Sequence, residues 1–216
     1  MRTNVYIDGF NLYNGSVRHT PFKWLDIGAL CATLLPGRTI NKIRYFTASV
    51  MAFPHNPQAP VRQDVYLRAL RTIPNLTVHK DGWFTAHPVM LPQFPLAIRD
   101  PNQAPNCVQV QKIEEKRTDV DLATYLLTDC FSGDFDEAVV ISNDSDLVLP
   151  IETVKSKFGK RVGVINPHRR KWMSSHLRRA ASYHVGAINK SVLAKCQFPA
   201  SLPDAQGRAI VKPASW

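Results

Sequence analysis

Glu137-Ala138-Val139-Val140-Ile141-Ser142-Asn143-Asp144-Ser145-Asp146 is the stretch that decides the fold. Its four consecutive apolar residues, closed off by small and acidic ones, predict a strand buried on both faces, as in a parallel sheet. Downstream, residues 147–158 read as a helix that tolerates Pro150 in its first turn, and 161–165 as another strand. Residues 174–181 read as a last helix and 183–188 as an edge strand. Upstream, 119–130 is an amphipathic helix and 108–113 a strand. Nearer the start, 4–7 is a short strand ended by Asp8-Gly9, and Asp26 caps a helix through Ile27, Leu30, Leu34 and Leu35 that Pro36-Gly37 stops. Strand 40–48, helix 61–70 and strand 76–79 complete the series. Strands alternating with helices make this an α/β protein, with a central, mostly parallel sheet covered on both faces. The stretch 83–107 carries Pro88, Pro92, Pro95, Pro101 and Pro105 and reads as an irregular surface loop. Within it, Trp83, Phe84 and Phe94 suit closure over substrate, a contact in a homodimer, or core packing.

A chain of 216 residues suits one domain with a full core. We divide it into a domain at 1–190 and a C-terminal tail at 191–216. An apolar fraction of 44% and a charged fraction of 20% exclude wholesale disorder. No run reaches the roughly 18 apolar residues of a membrane span, and the opening residues lead into a strand instead of a signal-peptide core. The expectation is a soluble, cytoplasmic protein with no membrane partner. Cys31, Cys107, Cys130 and Cys196 are too scattered for a zinc site and read as buried thiols outside disulfides, which fits a reducing compartment.

Charge is divided unevenly. Residues 1–150 hold 14 Lys+Arg and 15 Asp+Glu; residues 151–216 hold 13 and 2, so the net +10 resides in the last third. Ten of the first fifteen acids fall between Glu114 and Asp146. An acidic centre beside a basic flank is what a metal-dependent enzyme acting on a polyanion needs. In an open parallel sheet, ligands gather beyond the carboxyl ends of the strands. Asp8, Asp144 and Asp146 occupy such ends, and Asp119 opens the helix after strand 108–113. One such aspartate is usually a turn or cap residue; three converging ends point to chemistry. Asp119 shares a helix face with Leu122, Ala123 and Leu126 and is read as the inward carboxylate. Thr118-x-x-Asp121 matches a capping box, which employs Asp121 structurally. Glu114 and Glu115 are read as solvated. Crowded carboxylates become tolerable around a hard divalent cation, and oxygen-only ligands select Mg²⁺ or Mn²⁺. Such an ion activates water and clamps the oxygens of a phosphodiester displacement.

Three segments carry a family resemblance. Val5-Tyr6-Ile7-Asp8-Gly9-Phe10-Asn11 resembles the I-D-G-x-N opening of the NYN family, the LabA-like branch of the PIN-like ribonucleases. Lys116-x-x-Asp119-Val120-x-Leu122-Ala123 is similar to its K-x-x-D-V-x-L-A helix start, and Ser142-Asn143-Asp144-Ser145-Asp146 to its S-G-D-S-D strand end. The resemblance implies a three-layer PIN-like fold and metal-dependent RNA cleavage. It also implies Asp8, Asp119, Asp144 and Asp146 as metal ligands, with Asp146 alternatively assisting water activation, and Asn11 orienting substrate or a metal-bound water. Lys116 joins the candidate nucleic-acid contacts. Asn143 stands for the family's glycine and Thr118 for its valine; asparagine tolerates the left-handed backbone such a turn would need.

His168-Arg169-Arg170-Lys171-Trp172 and Arg178-Arg179 combine cations with an aromatic, suited to phosphate contact and base stacking on single-stranded RNA. The competing reading is a solvated helix end with Trp172 in the core. His168, His176 and His184 show no partner in the sequence. The leading expectation is a Mg²⁺- or Mn²⁺-dependent ribonuclease. The alternatives are a nucleic-acid-binding regulator without turnover and a metal-dependent nucleotide phosphohydrolase. Neither G-x-G-x-x-G nor G-x-x-x-x-G-K-[ST] is present to suggest a nucleotide cofactor.

Overall fold

In the computed structural model, which describes residues 1–92, 107–169 and 171–216, β1 (Arg2–Asp8) and β5 (Glu137–Ile141) lie side by side at the middle of a seven-stranded sheet. On one side follow β2 (Thr39–Ala48), β3 (Leu76–Pro92) and β4 (Cys107–Lys116); on the other, β6 (Arg161–Ile165) and β7 (Tyr183–Val185). Every pairing is parallel except β3 with β4. Strand order therefore reverses between β1 and β5, and the crevice of an open parallel sheet opens at that reversal. Ile7 lies opposite Ile141, which brings Asp8 beside Ser142 as both chains leave the sheet.

The apolar runs fill two cores, one per face. Val5, Ile7, Val139 and Ile141 pack with Trp24, Ile27, Leu30 and Leu67, drawing in α2 (Ile27–Leu34) and α3 (Ala59–Leu70). Tyr6, Val140 and Val164 pack instead with Leu122, Leu126, Ile151 and Leu177, drawing in α4 (Thr118–Phe131), α5 (Val148–Phe158) and α6 (Ser175–Ala180). The result is the three-layer α/β architecture. A polar network sits in the second core. Asp129 receives a two-pronged pair from Arg44, Nε to Oδ2 and an Nη to Oδ1 at 2.7 Å each, and a hydrogen bond from the Tyr6 hydroxyl at 2.8 Å. Burial, followed by the Asp129 charge, pushes the Tyr6 hydroxyl well above its ordinary range.

The stretch 83–107 corrects the sequence reading. Residues 83–92 continue β3 and pair antiparallel with β4, from Trp83 opposite Lys116 to Pro92 opposite Cys107. Beyond Gly82 this strand has left β2, so among the described residues one of its edges is unpaired. A proline without an N–H costs little on such an edge, which is why Pro88 and Pro92 are accommodated. Phe94, Pro95, Pro101 and Pro105 lie outside the described residues. The C-terminal segment 191–216 is also built into the fold. Its α7 (Lys190–Lys195) and the hairpin of β8 (Ser201–Pro203) and β9 (Ala209–Val211) bury Leu193, Cys196, Phe198 and Ile210 in the first core. No helix among the described residues is long and apolar enough to cross a membrane.

Candidate functional site

Asp8 ends β1 and caps α1 (Gly9–Leu12), accepting a hydrogen bond from the Asn11 N–H at 2.9 Å. Its other oxygen accepts from the Ser142 hydroxyl at 3.1 Å. Ser142 Oγ in turn accepts from the Asp144 N–H, and Asp144 Oδ1 from the Asp146 N–H at 3.0 Å. The Asp8-Gly9 pair is required by packing: a Cβ on Gly9 would stand 2.7 Å from the Phe46 carbonyl oxygen and the Tyr45 ring. Asn11 ties the two strand ends together. Its Oδ1 accepts from the Asn143 N–H at 3.1 Å, which fixes the amide orientation, so His168 donates to the same oxygen through Nε2 at 3.0 Å. His168 thus has a partner that the sequence did not reveal, as does His176, beside Arg179 at 3.2 Å.

Asn143 earns its place by a different route from backbone tolerance, for it has no positive φ. Its side chain receives the Ser174 N–H at 2.7 Å and donates to the Trp172 carbonyl at 3.1 Å, fastening the basic segment to the end of β5.

Burial pushes the Asp8 carboxyl up to about 6, and the nearby Asp144 charge adds to the rise against hydrogen bonds from Asn11 and Ser142. Burial likewise pushes Glu115 up to about 7, with Asp8 and Asp119 adding to it. Glu115 is therefore part of this cluster and is not solvated. The buried Thr118 hydroxyl stands beside this carboxyl and holds back part of the rise. The missed signal is strand alternation: Lys112, Glu114 and Lys116 share the outer face of β4, where Glu114 pairs with both lysines at 2.6 and 3.1 Å, and so Glu115 faces inward. Lys116, proposed for nucleic acid, is engaged in that ladder.

Asp119 is exposed at the rim and caps its own neighbour Val120, instead of packing inward with Leu122 and Leu126. The helix begins one residue earlier than a capping box requires. Arg117, in a left-handed conformation at φ 87°, is the cap position, and Thr118 is already helical. Asp121 pairs with Arg117 at 3.1 Å, so no capping box forms. Asp146 is exposed as well. Among the described residues, no three Asp, Glu, His or Cys side chains stand close enough together to enclose one metal ion.

The basic flank adjoins this edge. Asn166, buried, holds the loop by donating to the carbonyls of Lys171 and Gly186. Trp172 is 94% exposed, which removes the reading that buries it in the core. Arg169, Lys171, Trp172 and Arg178 line a concavity of about 470 Å³, and Arg179 is exposed nearby on α6; Arg170 lies outside the described residues. On the opposite side of the cluster stands Tyr45, whose hydroxyl is pushed up by burial and then by Asp8 and Glu115. Behind its ring opens a cavity of about 670 Å³.

A curated relative, 6-hydroxy-3-succinoylpyridine 3-monooxygenase HspA of Pseudomonas putida (strain DSM 28022 / S16), is 29% identical over 239 aligned residues, covering 100% of this chain and 75% of its own. The crystal structure of a protein of unknown function, VPA0982 of Vibrio parahaemolyticus RIMD 2210633, superposes with a TM-score of 0.55 over 88% of this chain and 93% of that one. At 16% identity it supports the fold alone. The NYN domain profile matches residues 2–188, spanning the whole sheet and all three motifs. The chain belongs to the NYN domain family, of the PIN-like nuclease superfamily.

Proposed function

We propose that this protein is a metal-dependent ribonuclease whose acidic cluster lies at the reversal of strand order. The observation that carries the reading is a group of carboxyls withdrawn from water at that reversal: half-buried Asp8 with Asp144 nearby, and half-buried Glu115 within reach of the charges of Asp8 and Asp119. The donor chemistry fits a hard divalent cation, Mg²⁺ or Mn²⁺, which Asp8, Asp144, Glu115 and Asp119 would hold. When bound, such an ion neutralises phosphate charge and acidifies water. Asp119 and Asp146 are exposed at the rim, so a rotation of either side chain toward the cluster would leave the core as it is. Asn11 keeps the two strand ends and the 168–174 loop in register, leaving its amide nitrogen for substrate. Arg169, Lys171, Arg178 and Arg179 neutralise the RNA backbone, and Trp172 offers a face for an unstacked base.

Wild type and Asp144→Asn are compared on RNA, single-stranded DNA and nucleotides, with Mn²⁺ and with chelator. Metal-dependent loss of RNA in wild type alone is the expected result. Binding without cleavage in both would favour a regulator, and nucleotide turnover with intact RNA a phosphohydrolase. One observation favours a further reading: the relative is named for oxidation of a substituted pyridine, and an aromatic-walled cavity lies behind Tyr45. Oxygen-consuming turnover of 6-hydroxy-3-succinoylpyridine, with RNA left intact, would replace the nuclease reading.

The raised carboxyls set a pH dependence. Folded Asp8 and Glu115 keep protons up to about 6 and about 7, where the unfolded chain has already released them. Their contribution is complete below the ordinary carboxylate range and is lost as pH rises through those values. Buried histidines act in the opposite sense, so the test is a difference: in chelator, the Tm of Glu115→Gln gains on wild type between about pH 5 and pH 8. A gap that shrinks over that interval contradicts the assignment.

A further inference from the structure

The cavity behind Tyr45 has no part in the hydrolysis just described. It is walled by the rings of Phe10, Tyr45, Phe53, Tyr66 and Phe84, with Phe10 and Phe84 edge to face at 5.1 Å. Protein interiors are close-packed, and voids much larger than a water molecule are rare, whereas sites for small ligands run to several hundred cubic ångströms. At about 670 Å³ this space belongs to the second kind. Its charge is one-sided. Arg18, Lys23 and Arg62 line it, no Asp or Glu does, and none of the three cations forms an ion pair among the described residues. Arg62 is half-buried at the start of α3 and donates to the Asn56 side chain, a neutral acceptor that leaves its charge uncompensated. Flat apolar walls recognise a flat ring, and unpaired guanidinium groups recognise an anion.

We propose that this cavity binds a small molecule made of one flat aromatic ring system with a single anionic group, either an aromatic carboxylate or a nucleoside monophosphate. The ring lies among Phe10, Tyr66 and Phe84, and the anion meets Arg62. This is a statement about binding and stands whichever reaction the carboxylate cluster performs.

Calorimetric titration with benzoate, naphthoate and uridine monophosphate tests it, with benzamide as the neutral counterpart of benzoate. At least one anion binds wild type saturably. Where benzoate is bound, benzamide binds at least about tenfold more weakly. Arg62→Gln weakens the anion about tenfold, and Ala59→Trp, which fills the cavity from the first turn of α3, removes binding while circular dichroism stays native. Carboxylate binding alone identifies an aromatic acid as the source, and uridine monophosphate alone a nucleotide; either supports the site. Asp144→Asn binds as wild type does even when RNA cleavage is lost, so the two claims fail separately. No saturable binding of any anion, or binding unaffected by both Arg62→Gln and Ala59→Trp, overturns the proposal.

Discussion

Asp8→Asn lowers metal-dependent RNA cleavage by about a thousandfold, the scale of several kcal/mol of lost charge stabilisation. The substitution is chosen because it isolates charge. An asparagine oxygen still caps α1 by accepting from the Asn11 N–H, and asparagine is as good a cap as aspartate. The remaining amide position still meets the Ser142 hydroxyl, which can accept as well as donate. Melting temperature therefore stays at or, above about pH 6, somewhat over that of wild type, while the initial rate of cleavage collapses. A variant that melts normally and retains more than about a tenth of the rate contradicts a direct role for Asp8.

Asp129→Ala costs about 3–5 kcal/mol of folding stability, the range for removing one partner of a buried ion pair. Asp129 answers both the Arg44 guanidinium and the Tyr6 hydroxyl, and the Arg44 side chain also packs over the Tyr125 ring at 4.5 Å. Among the described residues, removing the carboxylate leaves the guanidinium with only the neutral His79 ring nitrogen at 3.2 Å and the Tyr125 face, and the hydroxyl with only the Asn4 side chain, so the Arg44 charge stays uncompensated. Tyr6→Phe, which removes one hydrogen bond and no charge, costs about 1 kcal/mol. Urea denaturation gives both values. Equal losses for the two variants would mean that Arg44 finds other compensation. Because this network lies under α4 and away from the acidic cluster, Asp129→Ala should cleave RNA normally at a temperature where it remains folded.

The strands at the sheet centre were legible because their patterns have one explanation. Four apolar residues in Ala138–Ile141 leave no exposed face, and a carboxylate directly after such a strand must stand at the sheet's edge. Asp8 and Asp144 follow from that, and the structure does set them beside one another. The hairpin of β3 and β4 was hidden because its prolines look forbidding in sequence, while the fact that permits them, a strand edge unpaired among the described residues, is a tertiary property. Glu115 was hidden by its neighbours: in a run of charges, the inward residue is told from the outward ones only once the strand's facing is known. Asp119 shows the converse limit. Helical periodicity ranks it as inward, but the left-handed Arg117 sets where α4 begins, and the first turn leaves Asp119 exposed. The cavity behind Tyr45 has no linear signature at all, since its walls come from α1, β2, α3 and β3.

The most direct test of the central claim is Mn²⁺ binding followed by electron paramagnetic resonance, in wild type and in Asp8→Asn. Saturable loss of the free-ion signal in wild type, abolished by Asp8→Asn and weakened by Glu115→Gln, is the predicted result. A wild-type protein that leaves the free-ion signal unchanged, or an Asp8→Asn variant that binds as well as wild type, would contradict it.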